Sequence, residues 1–347
     1  MARTERRGVS SRLLKDGSTM PTDTDRGASR ASLAGRAARL STRFRETARE
    51  EGLAEALSRT ARKLRRRFGS APVDDAPSTE SQYRRERSFR LADLIACPDC
   101  GSERVTIGAD RVRCGRCGAV YPRRAGALLF APPMNPITSR LEETHFTHPY
   151  GDDAKALIHK YRRGVVLDYG AGHTRPEEQR PNVVLHEAVQ YDTVDVASLT
   201  PRLPYRDNCF DAIVSQAVFE HVPRPWETAA ELHRVLKPGG EIHVDTAFMQ
   251  PYHSDPFHFF NMTIPGVREI FRPFREVAVG VKPYQLPSFG YRMQLEVMLN
   301  HMAPGVWRER MEALLRDLRN DGAGFDRSLD EEGQLYVAAG VYFHGTK

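Results

Sequence analysis

The second half of the chain carries short, mostly apolar runs, separated by stretches with helical spacing. The runs lie at residues 165–167, 183–187, 193–197, 212–215, 276–281 and 335–343, with one more after Gly240. Continuous apolar runs of this length are typical of strands buried on both faces of a parallel sheet. The last two runs predict a closing antiparallel pair. We therefore expect an α/β fold with a doubly wound, mostly parallel, seven-stranded sheet.

The first of these strands ends on an acid, Asp168, and a turn with Gly170 and Gly172 follows at once. Glycines let the backbone turn sharply and approach a ligand closely, as in nucleoside-binding α/β sheets. A Gly-x-Gly turn alone is weak evidence, but two further motifs follow in order, at 208–222 and 231–240. The ordered set resembles the class I S-adenosylmethionine-dependent methyltransferases, in particular the type-11 subgroup, over roughly residues 161–274.

This resemblance implies a Rossmann-like methyltransferase fold and a set of residues that hold S-adenosylmethionine. The implied cofactor-binding residues are Asp168, Gly170, Gly172, Glu187, Ser215 and Gln216. In the family, the acid ending the first strand orients the methionine end, and the acid ending the second binds both ribose hydroxyls. The chain departs from the family at Leu199, where many relatives carry an adenine-binding Asp. Backbone groups, apolar contact or Ser198 would have to substitute.

The segment at 250–263 is rich in proline, histidine and aromatic residues. It follows the fifth strand and should lie over the carboxyl edge of the sheet. Its histidines could supply a base near neutral pH, could ligate a metal, or could satisfy backbone groups in a packed structural loop. By resemblance, His221 also starts a segment near the transferred methyl group. We predict that His253 or His221 is the catalytic base toward an acceptor hydroxyl.

Two Cys-x-x-Cys pairs form a separate candidate site, Cys97 with Cys100 and Cys114 with Cys117. Four thiolates on two knuckles suit tetrahedral zinc, and a site with four protein ligands is structural rather than catalytic. Disulfides are the alternative, less favoured without a secretion signal. The segment resembles the small zinc-ribbon family that activates tRNA and protein methyltransferases. The fifth cysteine, Cys209, precedes a buried strand and is expected to be a core thiol.

Charge divides the chain unevenly. Residues 1–90 contain 22 Lys and Arg and 12 Asp and Glu, whereas the remainder contains 29 and 33. The basic excess therefore belongs to the N-terminal segment, predicted as a partly disordered leader with an amphipathic helical stretch. That stretch could dock on a partner or membrane surface, or fold onto the enzyme itself. We expect the zinc ribbon at 91–133 and the methyltransferase domain at 138–347.

The predicted activity is methyl transfer to a small molecule or glycan, most simply to oxygen. One alternative is an rRNA or tRNA methyltransferase, which the basic leader would fit. Against it, no Asn-Pro-Pro-Tyr-like motif, which in nucleic-acid methyltransferases binds a planar amine, follows the fourth strand; Ser215-Gln216-Ala217-Val218 stands there. The region after residue 90 is also mildly acidic. A second alternative is a non-catalytic protein that keeps the fold. The chain lacks an apolar run long enough to span a membrane, so a cytoplasmic enzyme is expected.

Overall fold

The computed structural model describes residues 86–130, 147–198, 200–253 and 257–347. Residues 1–85, which include most of the predicted leader, lie outside this part of the chain. So do the predicted boundary at 133–138, Leu199 and Asp255.

The described residues contain one sheet of eleven strands. The first four are β1 (Val105–Ile107), β2 (Arg111–Cys114), β3 (Val120–Arg124) and β4 (Ala127–Leu129). The next four are β5 (Val166–Tyr169), β6 (Val183–Glu187), β7 (Val196–Ala197) and β8 (Phe210–Gln216). The last three are β9 (Leu236–Ala247), β10 (Arg275–Gly280) and β11 (Gly340–Thr346).

The strand order is β1-β2-β3-β4-β7-β6-β5-β8-β9-β11-β10. Strands β5 to β9 run parallel, and β11 and β10 close the sheet antiparallel, so the predicted seven-strand arrangement forms the larger part. The prediction of seven strands is wrong for the whole sheet. Strand β4 pairs in parallel with β7, Leu128 beside Val196, and this pairing joins the four N-terminal strands to the rest.

Six α-helices accompany the sheet in the described residues. They are α1 (Asp152–Lys160), α2 (Pro225–Val235), α3 (Ile264–Ile270), α4 (Pro287–His301), α5 (Val306–Arg327) and α6 (Glu331–Tyr336). Helix α6 corrects the strand predicted from residue 335, because β11 begins only at Gly340. The carboxylate of Asp330 caps α6 by accepting a hydrogen bond from the Gly333 amide at 2.7 Å, which favours a helix there.

Side chains alternate between the two faces of the central strands, as the pleat requires. Val166 and Val214 pack with Leu157 of α1 on one face. On the other face, Leu167 and Ile213 pack with apolar residues of α2 and α3. The sheet is therefore covered by helices on both sides, which is the doubly wound arrangement expected from the apolar runs.

The cysteine-containing segment shares the core of the central sheet. Leu94, Ile95 and Leu128 are each at most 6% exposed and pack in one cluster with Leu167 and Phe210. Backbone hydrogen bonds strengthen this joint, since residues 94–96 pair with residues 204–206. Within the described ranges, none of the helices is long and apolar enough to cross a membrane.

Candidate active site

The turn after β5 has a conformation that requires glycine. Gly170 has φ +83° and Gly172 has φ +57°, both in the left-handed region. A Cβ atom at Gly170 would lie 2.2 Å from Val218 Cγ2, and one at Gly172 would lie 2.1 Å from Thr147 Cγ2. The two glycines therefore let the chain pass close to its neighbours at the carboxyl edge of the sheet.

His186 supports this turn from below. Its carbonyl accepts hydrogen bonds from the amides of Gly170 at 2.9 Å and Ala171 at 3.0 Å. Its side chain is only 1% exposed, stacks on Tyr169 and has Nδ1 2.9 Å from the Tyr205 hydroxyl. Burial lowers the pKa of His186 to about 3, so the imidazole is neutral in the folded protein.

Asp168 lies at the end of β5 beside an open cleft. The carboxylate is 4% exposed and accepts a hydrogen bond from the Tyr150 hydroxyl at 2.5 Å. The cleft is lined by Asp168, Gly170, Gln216, Tyr150, Thr174 and Glu178, among others. Three of the six predicted cofactor residues thus line one concave site. Tyr150 was not singled out from the sequence, because an isolated tyrosine before a helix carries no pattern.

Glu187 holds the glycine turn. Its Oε2 accepts a hydrogen bond from the Gly172 amide at 2.7 Å, and its Oε1 accepts one from the Ala188 amide at 2.6 Å. Each carboxylate oxygen has a second lone pair, so the group can still accept from further donors. The structure therefore links the two predicted acids through the turn between them.

Ser215 and Gln216 differ in position although they are adjacent. Ser215 is fully buried, and its hydroxyl donates to the Tyr169 carbonyl at 2.8 Å, which ties β8 to the end of β5. Gln216 lines the cleft, and its Nε2 donates to Asp245 Oδ2 at 3.1 Å. Alternation along a strand explains the difference, because neighbouring side chains point to opposite faces.

Asp245 is a buried carboxylate that the sequence analysis did not identify. It accepts hydrogen bonds from Gln216, from the Tyr284 hydroxyl at 3.0 Å and from Gln285 Nε2 at 3.0 Å. Burial and the adjacent Asp245 carboxylate raise the pKa of Tyr284, which stays protonated as a donor. The only sequence signal was an acid within the apolar β9, and such an acid is usually structural.

Ser198, the predicted substitute at the adenine position, is 5% exposed, and its hydroxyl lies 2.8 Å from Thr200 Oγ1. It follows β7 at the same sheet edge as Glu187. Its neighbour Leu199 lies outside the described residues.

The structure brings His221 and His253 together, with His258 beside them. The ring centroids of His221 and His253 are 5.0 Å apart, and those of His253 and His258 are 4.4 Å apart. His221 Nδ1 lies 2.7 Å from the Phe257 carbonyl, and His253 Nδ1 lies 3.1 Å from the Pro251 carbonyl. Because a carbonyl only accepts, both rings carry a proton on Nδ1 and a lone pair on Nε2 when neutral.

The four predicted zinc ligands also converge. Cys97 Sγ lies 3.7 Å from Cys117 Sγ, and Cys100 Sγ lies 3.6 Å from Cys114 Sγ. All four sulfurs lie within 4.8 Å of one another. These separations exceed a disulfide bond of about 2.05 Å and match the edge of about 3.8 Å that four Zn–S bonds of about 2.3 Å would give. The thiols are thus unpaired by disulfides, and their geometry fits a tetrahedral ion.

Comparison with known proteins finds a similarity to methyltransferases in part of this chain. Residues 156–244 match the family model described as a methyltransferase domain. The matched region contains β5, β6, β7 and β8, with both glycines of the turn. A segment of 51 residues is 43% identical to an uncharacterized methyltransferase of Mycobacterium tuberculosis, covering 14% of this chain and 20% of that protein.

A segment of 38 residues is 53% identical to an uncharacterized methyltransferase of Mycobacterium avium, covering 11% of this chain and 15% of that protein. The chain thus spans a fifth or less of the length of these relatives. A crystal structure described as a putative sarcosine dimethylglycine methyltransferase from Galdieria sulphuraria is 16% identical, with a TM-score of 0.36, over 56% of this chain and 83% of that one. A score this low carries no argument about function.

Proposed function

We propose that this protein is an S-adenosylmethionine-dependent methyltransferase that methylates a hydroxyl group of a small molecule or glycan. The observation that carries the proposal is the glycine turn between two acids at the carboxyl edge of the sheet, inside the region that matches a methyltransferase domain. Ligands of open α/β sheets bind at this edge. The cytoplasmic location predicted from the sequence belongs to the same proposal.

The residues at the turn fit the cofactor. Gly170 lines the cleft, and the left-handed backbone at Gly170 and Gly172 gives the turn a shape that a side chain would disrupt by clashing with Val218 or Thr147. Asp168 presents a buried carboxylate at the cleft, suited to the ammonium group of the methionine moiety. Glu187 offers two acceptor oxygens at the end of the next strand, suited to a pair of ribose hydroxyls. Gln216 closes the same cleft from β8.

The cofactor supplies an activated methyl group, so the protein must chiefly align the acceptor and exclude water. An alcohol is a poor nucleophile until it loses its proton. His221 and His253 follow β8 and β9 at the proposed acceptor end, and each has a lone pair on Nε2 in its neutral form. Either lone pair can assist removal of the hydroxyl proton, the role predicted for these residues as catalytic base.

The cysteine cluster is proposed to hold one structural zinc ion. The sulfur separations of 3.6 Å and 3.7 Å support this assignment. Residues next to the cluster pack in the core of the catalytic sheet, Ile95 being fully buried and paired with Tyr205. A zinc ion here would brace one edge of that sheet and would take no part in the methyl transfer.

Calorimetric titration with S-adenosylmethionine tests the cofactor site. The parent protein should bind, and Asp168→Asn should bind at least tenfold more weakly, because the neutral amide loses the attraction to the ammonium group. Asp207→Asn, at an exposed acid outside the cleft, is the matched control and should bind as the parent does. Equal affinity of all three proteins would contradict the assignment.

The acceptor class is tested separately, by incubating the protein with methyl-labelled cofactor and a panel of hydroxylated small molecules and glycans. Label in an ether product supports the proposal. Label found only in RNA would assign the chain to nucleic-acid methylation instead. Cofactor binding with no labelled product from either class would favour a binding protein that keeps the fold.

A further inference from the structure

Among the described residues, a buried carboxylate oxygen beside the histidine cluster has no hydrogen-bond partner. Glu220 is 1% exposed, and its Oε2 accepts from Thr246 Oγ1 at 2.9 Å. Its Oε1 is buried as well but contacts no donor among the described residues. Burying a carboxylate oxygen away from water without a partner costs free energy. A bound cation or a proton at this oxygen would remove that cost.

Two imidazoles stand beside this carboxylate, and hydrogen bonds fix their tautomers. One potential ligand atom from each of Glu220, His221 and His253 lies within 4.8 Å of the other two. The Nδ1 atoms of both histidines face backbone carbonyls, those of Phe257 and Pro251. A metal-ligating histidine almost always donates its second ring N–H to such an acceptor, which fixes the tautomer and the ring orientation.

The third histidine of the cluster has a different role. His258 Nδ1 accepts from the His253 backbone amide at 3.3 Å, and its Nε2 lies 3.0 Å from the Phe260 carbonyl. Both ring nitrogens are therefore used. His258 fixes the backbone that carries His253 and has no lone pair left for a ligand.

We propose that Glu220, His221 and His253 bind a divalent first-row transition ion of the Zn²⁺ type. Two imidazole nitrogens and one carboxylate oxygen are a known donor set of catalytic zinc, in which three protein ligands leave a position open. The cation supplies the missing partner of Glu220 Oε1. This site has nitrogen and oxygen donors, so it is chemically distinct from the four thiols.

The proposed metal site lies at the same edge of the sheet as the proposed cofactor site. Glu220 and His221 follow β8, and His253 follows the parallel neighbour β9, so all three stand at the edge of the sheet that also carries Asp168. Val218, two residues before Glu220, is the side chain that a Cβ at Gly170 would strike. The metal site therefore adjoins the proposed cofactor turn.

The role of the ion rests on the proposed function: the acceptor hydroxyl occupies the open position. There the hydroxyl releases its proton to water, since the cation stabilises the resulting alkoxide. The oxygen then forms a bond to the methyl carbon, the carbon–sulfur bond breaks, and its electron pair neutralises the sulfonium. With the ion bound, both Nε2 lone pairs are used as ligands, so metal activation of the hydroxyl replaces the base role proposed above for His221 and His253.

Metal analysis tests the site without any acceptor. The full chain is incubated with excess Zn²⁺ and desalted, and the bound zinc is measured per chain. We expect the parent to hold one equivalent more than Glu220→Gln or His253→Gln, whatever the thiols retain. His301→Gln, at an exposed histidine of α4, should match the parent. Equal zinc in the parent and both variants would overturn the inference.

A Co²⁺ titration of the chain that holds a single equivalent of Zn²⁺, which the four thiols bind in preference, measures the affinity of the second site. Loss of a ligand should weaken Co²⁺ binding by more than the roughly 10- to 100-fold that loss of an outer partner causes. Glu220→Gln keeps a side-chain oxygen that can accept the hydrogen bond from Thr246. Thermal unfolding checks that this variant folds. If it does not fold, the test rests on His253→Gln. Normal cofactor binding without the extra metal would refute this site alone, whereas metal bound without cofactor binding would refute the proposed function.

Discussion

Acidification should destabilise the protein through His186, the buried imidazole beneath the glycine turn. Burial lowers its pKa to about 3 in the folded protein, from 6.5 for an exposed histidine. The folded chain keeps this ring neutral, whereas the unfolded chain takes up a proton as the pH falls below 6.5. The contribution of His186 to the free energy of unfolding is therefore complete above pH 6.5 and is lost progressively between pH 6.5 and pH 3.

The size of the effect follows from the two pKa values. Between pH 7.5 and pH 5, the linkage relation gives a loss of about 2 kcal/mol for this one group. Domains have a total free energy of unfolding of about 5–15 kcal/mol, so the loss is measurable in a denaturant titration. The full destabilisation by His186 is reached only near pH 3, where the protonation of other groups dominates the unfolding.

The assay compares urea unfolding of the parent and of His186→Asn at pH 7.5 and pH 5. The Asn side chain can still pair with the Tyr205 hydroxyl but does not titrate, and contributions from all other groups cancel in the difference between the proteins. We expect the parent to lose about 2 kcal/mol more than the variant between the two values of pH. His159→Asn, at an exposed position, should behave as the parent. Identical pH dependence in the parent and His186→Asn would refute the reasoning.

Three further outcomes are expected. Metal analysis should find that Cys100→Ser lowers the zinc content by one equivalent per chain while Cys209→Ser leaves it unchanged, because only the former removes a ligand; equal contents would count against the thiol site. Gly172→Ala should lower the midpoint of thermal unfolding, since its Cβ would lie 2.1 Å from Thr147 Cγ2, and Thr147→Ser in the same chain should recover part of the loss by removing that methyl group. The recovery should be incomplete, at about 1 kcal/mol below the parent, because φ +57° remains unfavourable for alanine; no effect of the single change would contradict the described turn. In a methyl-transfer assay with any acceptor found, His253→Gln should lower turnover at least tenfold with unchanged cofactor affinity, and turnover within a few-fold of the parent would remove His253 from the mechanism.

The central strands could be predicted because their signal is local. A run such as 183–185 is apolar at every position, and such a run can be satisfied only by burial on both faces. The strand pairing of Leu128 with Val196 could not be predicted in the same way. The two residues are far apart in sequence, and the residues of neither segment indicate which strand of the sheet it will pair with.

The candidate site shows the same division. Asp168 and Gly170 stand at a strand end and a turn, both of which leave a pattern in the sequence. Ser215 was predicted by resemblance to bind the cofactor. Its position in the alternation along β8 buries its hydroxyl, which donates a hydrogen bond to the Tyr169 carbonyl. Glu220 carries no sequence signal, because only the fold shows that one of its oxygens lacks a partner within the described part of the chain.

The parallel pairing of β4 with β7 determines how this protein can be divided. Without residues 127–130, the backbone groups of Asp195 and Ala197 that now pair with Leu128 and Phe130 would lie along an uncovered strand edge. Such an edge can pair with the same edge of a second molecule, which is a common route to aggregation. Any fragment that begins after residue 130 would also lose Leu128 and Phe130 from the core. The cysteine-containing segment is thus an integral side of the sheet. An N-terminal truncation meant to isolate the catalytic half should remove no residue from 86 onward.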